Sequence, residues 1–161
     1  MFNSFQKLSR HPIKFRMFLL AKLPAAFFSG VRLTDFDERS AHATVPYRWF
    51  TQNPFGSTYF ACLAMAAEMS TGALAMGHLY KRQPSVSMLI TSTSGNFYKK
   101  ATGKVTFTCE DGAIIEQAIL QCIKSGEAME VMATSTGKNS SGDVVAVFTF
   151  TWSFKIKVNR V

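Results

Sequence analysis

Charged residues are scarce in this chain, and cysteine is scarcer still. Asp, Glu, Lys and Arg make up 17% of its 161 residues against 47% hydrophobic, where an ordinary soluble domain carries about 25% charged. That balance excludes a disordered or fibrous chain and predicts one sizeable core, filled largely by the 15 Phe and 8 Met. The three cysteines, Cys62, Cys109 and Cys122, form no CxxC pair. A disulfide framework or a zinc site is therefore not expected, and a reducing, cytoplasmic location is. His11, His42 and His78 fit no metal-ligand spacing, so neither a metal nor a cofactor is expected. There is no internal repeat, low-complexity run or long Pro/Gly/Ser linker, and the chain reads as a single domain.

Acid is missing from one stretch altogether. Residues 1–30 carry Lys7, Arg10, Lys14, Arg16 and Lys22 and no Asp or Glu, so five of the net eight positive charges lie there. Charge so localised, with no recognition motif beside it, argues against a nucleic-acid partner. Lys22 also interrupts the apolar run Met17–Phe28, unlike the unbroken apolar region of a secretory signal. Residues 1–30 are expected to form a basic amphipathic helical segment, broken near Pro12 and Pro24. It would cap the domain of residues 31–161 or touch a membrane surface weakly.

Periodicity then orders the rest. Val31–Asp37 and Ala41–Pro46 read as strands, the second alternating Ala41, Ala43 and Val45 with His42 and Thr44. Arg48–Ser57 is a loop by its Asn-Pro and Gly-Ser punctuation. Thr58–Tyr80, rich in Ala, Leu and Met, predicts a helix about 35 Å long whose only carboxylate is Glu68. A helix apolar all round is buried in a core or in a bilayer. The sheet signals that follow favour the core. Val86–Tyr98 and Lys104–Glu110 read as strands, and Ala113–Lys124 as a helix with Ile114, Ile115, Ala118, Ile119, Cys122 and Ile123 on one face. Glu127–Gly137 is a strand, Asn139–Asp143 a hairpin turn and Val144–Val158 a long final strand. In that last strand Phe148, Phe150, Trp152, Phe154, Ile156 and Val158 alternate with polar residues. Fifteen extended residues would reach about 50 Å, so the strand must curl, and a curled sheet with one aromatic face needs something to wrap. The expectation is an α+β domain in which an antiparallel sheet wraps the long central helix, with an extra N-terminal helix.

This order of elements, together with Asn53-Pro-Phe-Gly-Ser-Thr-Tyr-Phe-Ala-Cys-Leu-Ala-Met-Ala-Ala-Glu68, resembles the hotdog fold of acyl-thioester enzymes. The stretch is similar to the signature of phenylacetate-type acyl-CoA thioesterases. Asn53 and Gly56 fall on the Asn and Gly of that signature, Leu63 and Ala64 on its Leu and small residue, and Glu68 on the catalytic carboxylate. Tyr59, Phe60 and Ala61 occupy the positions of its His-Gly-Gly element, so the usual His is absent. Asn96–Gly103 resembles the segment after the helix that ends in a small residue and Gly. The resemblance implies hydrolysis of an acyl-CoA or a similar thioester with Glu68 as base or nucleophile. It implies Asn53 and Tyr59 as positioning groups and the backbone N–H groups near Phe60 and Ala61 as oxyanion donors. It also implies a homodimer or tetramer.

Physical chemistry supports the same residues. A carboxylate on a buried helix is desolvated and becomes more basic. The first turn of that helix offers free N–H groups and a positive dipole end. Glu68, about ten residues in, lies roughly 15 Å from the helix start, too far to share one carbonyl with it inside a single chain. Structural readings stand beside these. Glu68 fits a buried acid paired with a polar group, Asn53 and Gly56 fit turn formers, and Ser57 fits a helix N-cap. Tyr59 fits a packing residue. Phe97, Tyr98, Lys99 and Lys100, with Lys104 beyond, fit either a binding surface for coenzyme A phosphates or solvated charge. A non-catalytic module holding a fatty acyl chain is the alternative function.

Overall fold

The computed structural model describes residues 2–157; Val158, the last apolar position expected on the final strand, lies outside them. Three short helices come first, α1 (Phe2–Arg10), α2 (Pro12–Lys22) and α3 (Pro24–Phe28). Prolines open the second and third, because a residue without an N–H fits the first helical position and nowhere further in. Strands β1 (Arg32–Phe36) and β2 (Ala41–Val45) follow, then the long helix α4 (Phe60–Leu79), β3 (Val86–Phe97), β4 (Val105–Cys109), α5 (Gly112–Ser125), β5 (Met129–Lys138) and β6 (Val144–Ile156). The six strands form one antiparallel sheet in the order β1-β2-β4-β5-β6-β3.

The sheet wraps α4, as expected. Thirteen of the twenty residues of α4 are buried, so this helix, long and apolar enough to cross a bilayer, is enclosed by protein instead. β6 buries Phe148, Phe150, Trp152 and Phe154 on alternate positions. Those aromatics supply the apolar face that α4 needs. Buried polar contacts also join the two layers; in one, Ser70 of α4 and Ser135 of β5 share a hydrogen bond of 2.7 Å. On α5 the buried face is Ile115, Ile119 and Cys122, whereas Ile114 is exposed. A face about 100° wide cannot include two adjacent residues equally.

The N-terminal segment departs from a simple amphipathic helix. α1 docks on α4 and β1 through Phe2, stacked 4.7 Å from Phe36, and Phe5, edge-on to the same ring. α2 is apolar on two opposite faces. Phe15 and Leu19 are buried, while Ile13, Met17 and Leu20, at helical spacing on the other side, face solvent. Basic Lys14 and Arg16 flank the exposed stripe.

Gly77 allows α1 to approach. A methyl group there would overlap the Phe2 ring and come within 2.8 Å of Phe36. Gly77→Ala is expected to lower stability by about 1–3 kcal/mol through overpacking, outweighing the helix propensity it gains. Thermal melting of the variant checks this; an unchanged or raised midpoint would show that the α1–α4 contact is loose.

Candidate functional site

The expected site residues on and around α4 lie at two cavities that share no lining residue. The first, of about 350 Å³, lies at the helix start and is lined by Asn53, Ser57, Phe60, Phe97, Tyr98, Lys99 and Lys100 among others. Seven of the expected site residues therefore meet in one place. The loop before α4 is held there by its own bonds. Asn53 Oδ1 accepts hydrogen bonds from the Phe55 and Ser57 N–H groups, and its Nδ2 donates to Ser57 Oγ. Gly56 takes a positive φ of 70° at the exposed tip, which a residue without Cβ adopts freely. The Thr58 N–H donates to Ala101 O at 2.8 Å, fastening this loop to the segment after β3.

These bonds define the local geometry. Asn53 and Gly56 shape the turn. Ser57 is not the N-cap; its hydroxyl is engaged with Asn53, and Tyr59 takes the cap position with extended backbone and no side-chain cap bond. Tyr59 is half exposed and packs edge-on against Phe60. The first bond of the helix runs from the Cys62 N–H to Tyr59 O at 2.9 Å. The Phe60 and Ala61 N–H groups stand ahead of it in the first turn, where a helix leaves its donors without internal acceptors. Ala61 and Tyr59 themselves do not line the cavity. Lys99 is bonded to Asp143 at 2.6 Å, which holds the Asp143 carboxyl below its usual range, and Lys100 donates to Phe55 O at 3.1 Å. Both ammonium groups are thus engaged within the chain, at an exposed surface where such contacts are weak.

Glu68 faces the second cavity, of about 500 Å³, together with Met69, Gly72, Met76 and Trp152. Eight residues separate it from Phe60, about 12 Å along the helix. Burial raises its pKa above the ordinary 4.5, and no cation or hydrogen-bond donor among the described residues offsets that burial. Glu68 is therefore not an acid paired with a polar group among the described residues. Its carboxylate folds over Gly72, where an added methyl would lie 3.2 Å from Oε1 and 3.4 Å from the Trp152 ring. Trp152 Nε1–H donates to Thr71 Oγ1 at 3.0 Å, and Thr71 Oγ1–H donates to the Glu68 carbonyl at 3.1 Å. Thr71, Gly72 and Trp152 are the neighbours that sequence reasoning missed. Gly72 carried a readable signal, since a helical residue four positions on sits over the same face.

Among the described residues no cluster of three or more potential metal ligands occurs. His78 is buried at the far end of α4, with Nδ1 3.7 Å from Glu116, and burial pushes its pKa down. It contributes to neither cavity described above.

Comparison with known proteins places this geometry. PA5026 of Pseudomonas aeruginosa, described as a protein of unknown function and probable thioesterase, superposes with a TM-score of 0.78 at 20% identity, covering 94% of this chain and 96% of that one. A protein of unknown function from Chlorobaculum tepidum gives 0.76 at 14% identity, covering 89% and 93%. The thioesterase HI1161 from Haemophilus influenzae gives 0.61 at 15% identity, covering 88% and 89%. No curated protein matches. Residues 14–154 match the family described as Domain of unknown function (DUF4442). The chain belongs to that family and has the hotdog fold of these solved structures.

Proposed function

We propose that this protein hydrolyses an acyl thioester, with an acyl-CoA as the substrate class, at a site completed by a second copy of the chain. The observation that carries this reading is Glu68: a carboxylate made basic by burial, without a neutralising partner among the described residues, in the wall of an apolar cavity. Such an acid is suited to act as base or nucleophile toward a carbonyl. The donors for the oxyanion would be the Phe60 and Ala61 N–H groups, reinforced by the helix dipole.

Separation along α4 keeps the acid and these donors apart within one chain, so a partner must bring its helix start to this Glu68. The open edge of the sheet offers the means. β3 is an edge strand of twelve residues, exposed from Thr91 to Phe97. A long bare edge is a template for pairing with another chain, and Met88 of β3 lines the same cavity as Glu68. Thiol release from a panel of short, long and aryl acyl-CoA substrates tests the activity. Retention of every substrate intact would favour the non-catalytic, acyl-binding alternative.

A second, compatible reading concerns residues 1–30. The exposed stripe Ile13, Met17 and Leu20 on α2, flanked by Lys14 and Arg16, suits shallow contact with anionic lipid. Vesicles containing phosphatidylserine are expected to retain the protein at low salt and release it at high salt. The triple variant Ile13→Ser, Met17→Ser, Leu20→Ser should lose that retention while melting normally. Equal retention of variant and wild type would remove the stripe from the account.

A further inference from the structure

The cavity beside Glu68 has a second property. Apart from Glu68 and Lys22, every side chain lining it is apolar or a glycine. Its walls come from two sources: α4, β3 and β6 below, and the N-terminal helices above, through Phe5 of α1 and Phe15 and Leu19 of α2. The buried face of α2 is therefore a roof over an unfilled space. Its volume of about 500 Å³ falls within the roughly 300–1,000 Å³ of ordinary ligand sites.

The space also has a direction. On α4 its lining residues run from Glu68 through Gly72 and Ala73 to Met76, about 12 Å of helix. Glu68 marks one end, and two small residues in the middle keep the passage open. A zig-zag hydrocarbon advances about 1.25 Å per bond, from bond lengths of about 1.5 Å and angles near 111°. Twelve ångströms therefore accommodates roughly ten carbons.

We infer that this cavity holds the alkyl chain of the substrate, that the preferred acyl group is straight, aliphatic and roughly eight to twelve carbons long, and that α2 is the roof which sets this preference. The carbonyl end lies at Glu68 and the tail runs toward Met76 beneath Phe15 and Leu19. This rests on the thioesterase reading for the identity of the head group, but the chain site itself is testable without turnover.

Trp152 in the wall is the reporter. The chain has two tryptophans, and the other, Trp49, is exposed and lines neither cavity. In a Trp49→Phe protein, terminally brominated straight-chain primary amides of about six to sixteen carbons would be titrated against Trp152 emission. The amide head is neutral, so no charge is forced against Glu68. Quenching is expected, with affinity rising about fourfold per methylene and levelling near ten carbons. Ala73→Leu, which adds bulk to the middle of the passage, should shorten that plateau by several carbons in a protein that melts normally. The inference is overturned by absence of quenching at any length, by affinity that climbs without levelling, or by an unshifted plateau in folded Ala73→Leu. Chain binding without thiol release would sink the hydrolase reading alone. Release only from short or aryl thioesters, with no chain binding, would sink this inference alone.

Discussion

Glu68→Gln is expected to lower thiol release by about 10²–10⁴-fold, the usual span for loss of a positioned acid or base, and at the same time to raise the melting temperature at pH values above the raised Glu68 pKa. Both effects come from one cause. Burial raises the carboxyl pKa above 4.5, so the folded state holds that proton more tightly than the unfolded chain does. For a group shifted in this direction, its stability contribution is complete below the unfolded value and is lost as pH rises through the folded value. At pH values above that raised pKa the protein therefore carries a charged acid with no partner among the described residues, at a cost that glutamine removes. Activity runs the other way. It needs the carboxylate, so kcat should fall as pH drops through the raised pKa, with the acid limb above 4.5. Thiol-release assays over a pH series, with melting curves of both proteins, read this out. A variant that turned over at the parental rate would remove Glu68 from the chemistry. A variant that lost activity by unfolding would show a lowered midpoint instead of a raised one.

Mixing two inactive variants should restore about one quarter of the parental activity, if the site is shared between two copies of the chain. One partner in the mixture is Glu68→Gln. The other is Phe60→Pro, chosen because Phe60 is the first residue of α4 and Tyr59 before it already has φ −60° and ψ 133°. Proline is tolerated at that position and accepts such a predecessor, so the substitution deletes one oxyanion donor with little disturbance of the helix. Loss of a single donor of this kind costs about 10²–10³-fold. Random pairing makes half of the dimers mixed, and each mixed dimer contains one site with both lesions and one with neither. Unfolding and refolding the variants together, followed by the assay, measures the recovered fraction. If acid and donors belonged to the same chain, every site would keep a lesion and the mixture would stay inactive.

Much of this architecture was readable before any coordinates. The period-two pattern of Phe148, Phe150, Trp152 and Phe154 gave the direction of the aromatic face. The absence of a polar side on Thr58–Tyr80 showed that this helix had to be enclosed. Loop punctuation located the bend before α4, and Asn53, Ser57, Phe60, Phe97, Tyr98, Lys99 and Lys100 do meet in one cavity. Less legible were the choices that depend on what lies across a gap. The hydroxyl of Ser57 had two possible partners, the helix start or Asn53, and only the folded loop selects the second. Nor did the sequence show a partner for Lys99; the β6 hairpin brings Asp143 within 2.6 Å of it. The two apolar faces of α2 look alike in sequence, and which one is buried depends on where α1 and α4 stand.

The chain's own residue pattern determined the α+β class, the enclosed helix and the single acid within it, because hydrophobic periodicity is a local property that any window of sequence displays. Tertiary structure alone decided that Glu68 lacks a partner among the described residues, that it faces a cavity roofed by α2, and that the helix start opens into a different cavity. Those outcomes depend on distances between segments far apart in the chain. Burial and cavity shape are properties of the surroundings, and a side chain carries no record of its surroundings until the fold supplies them.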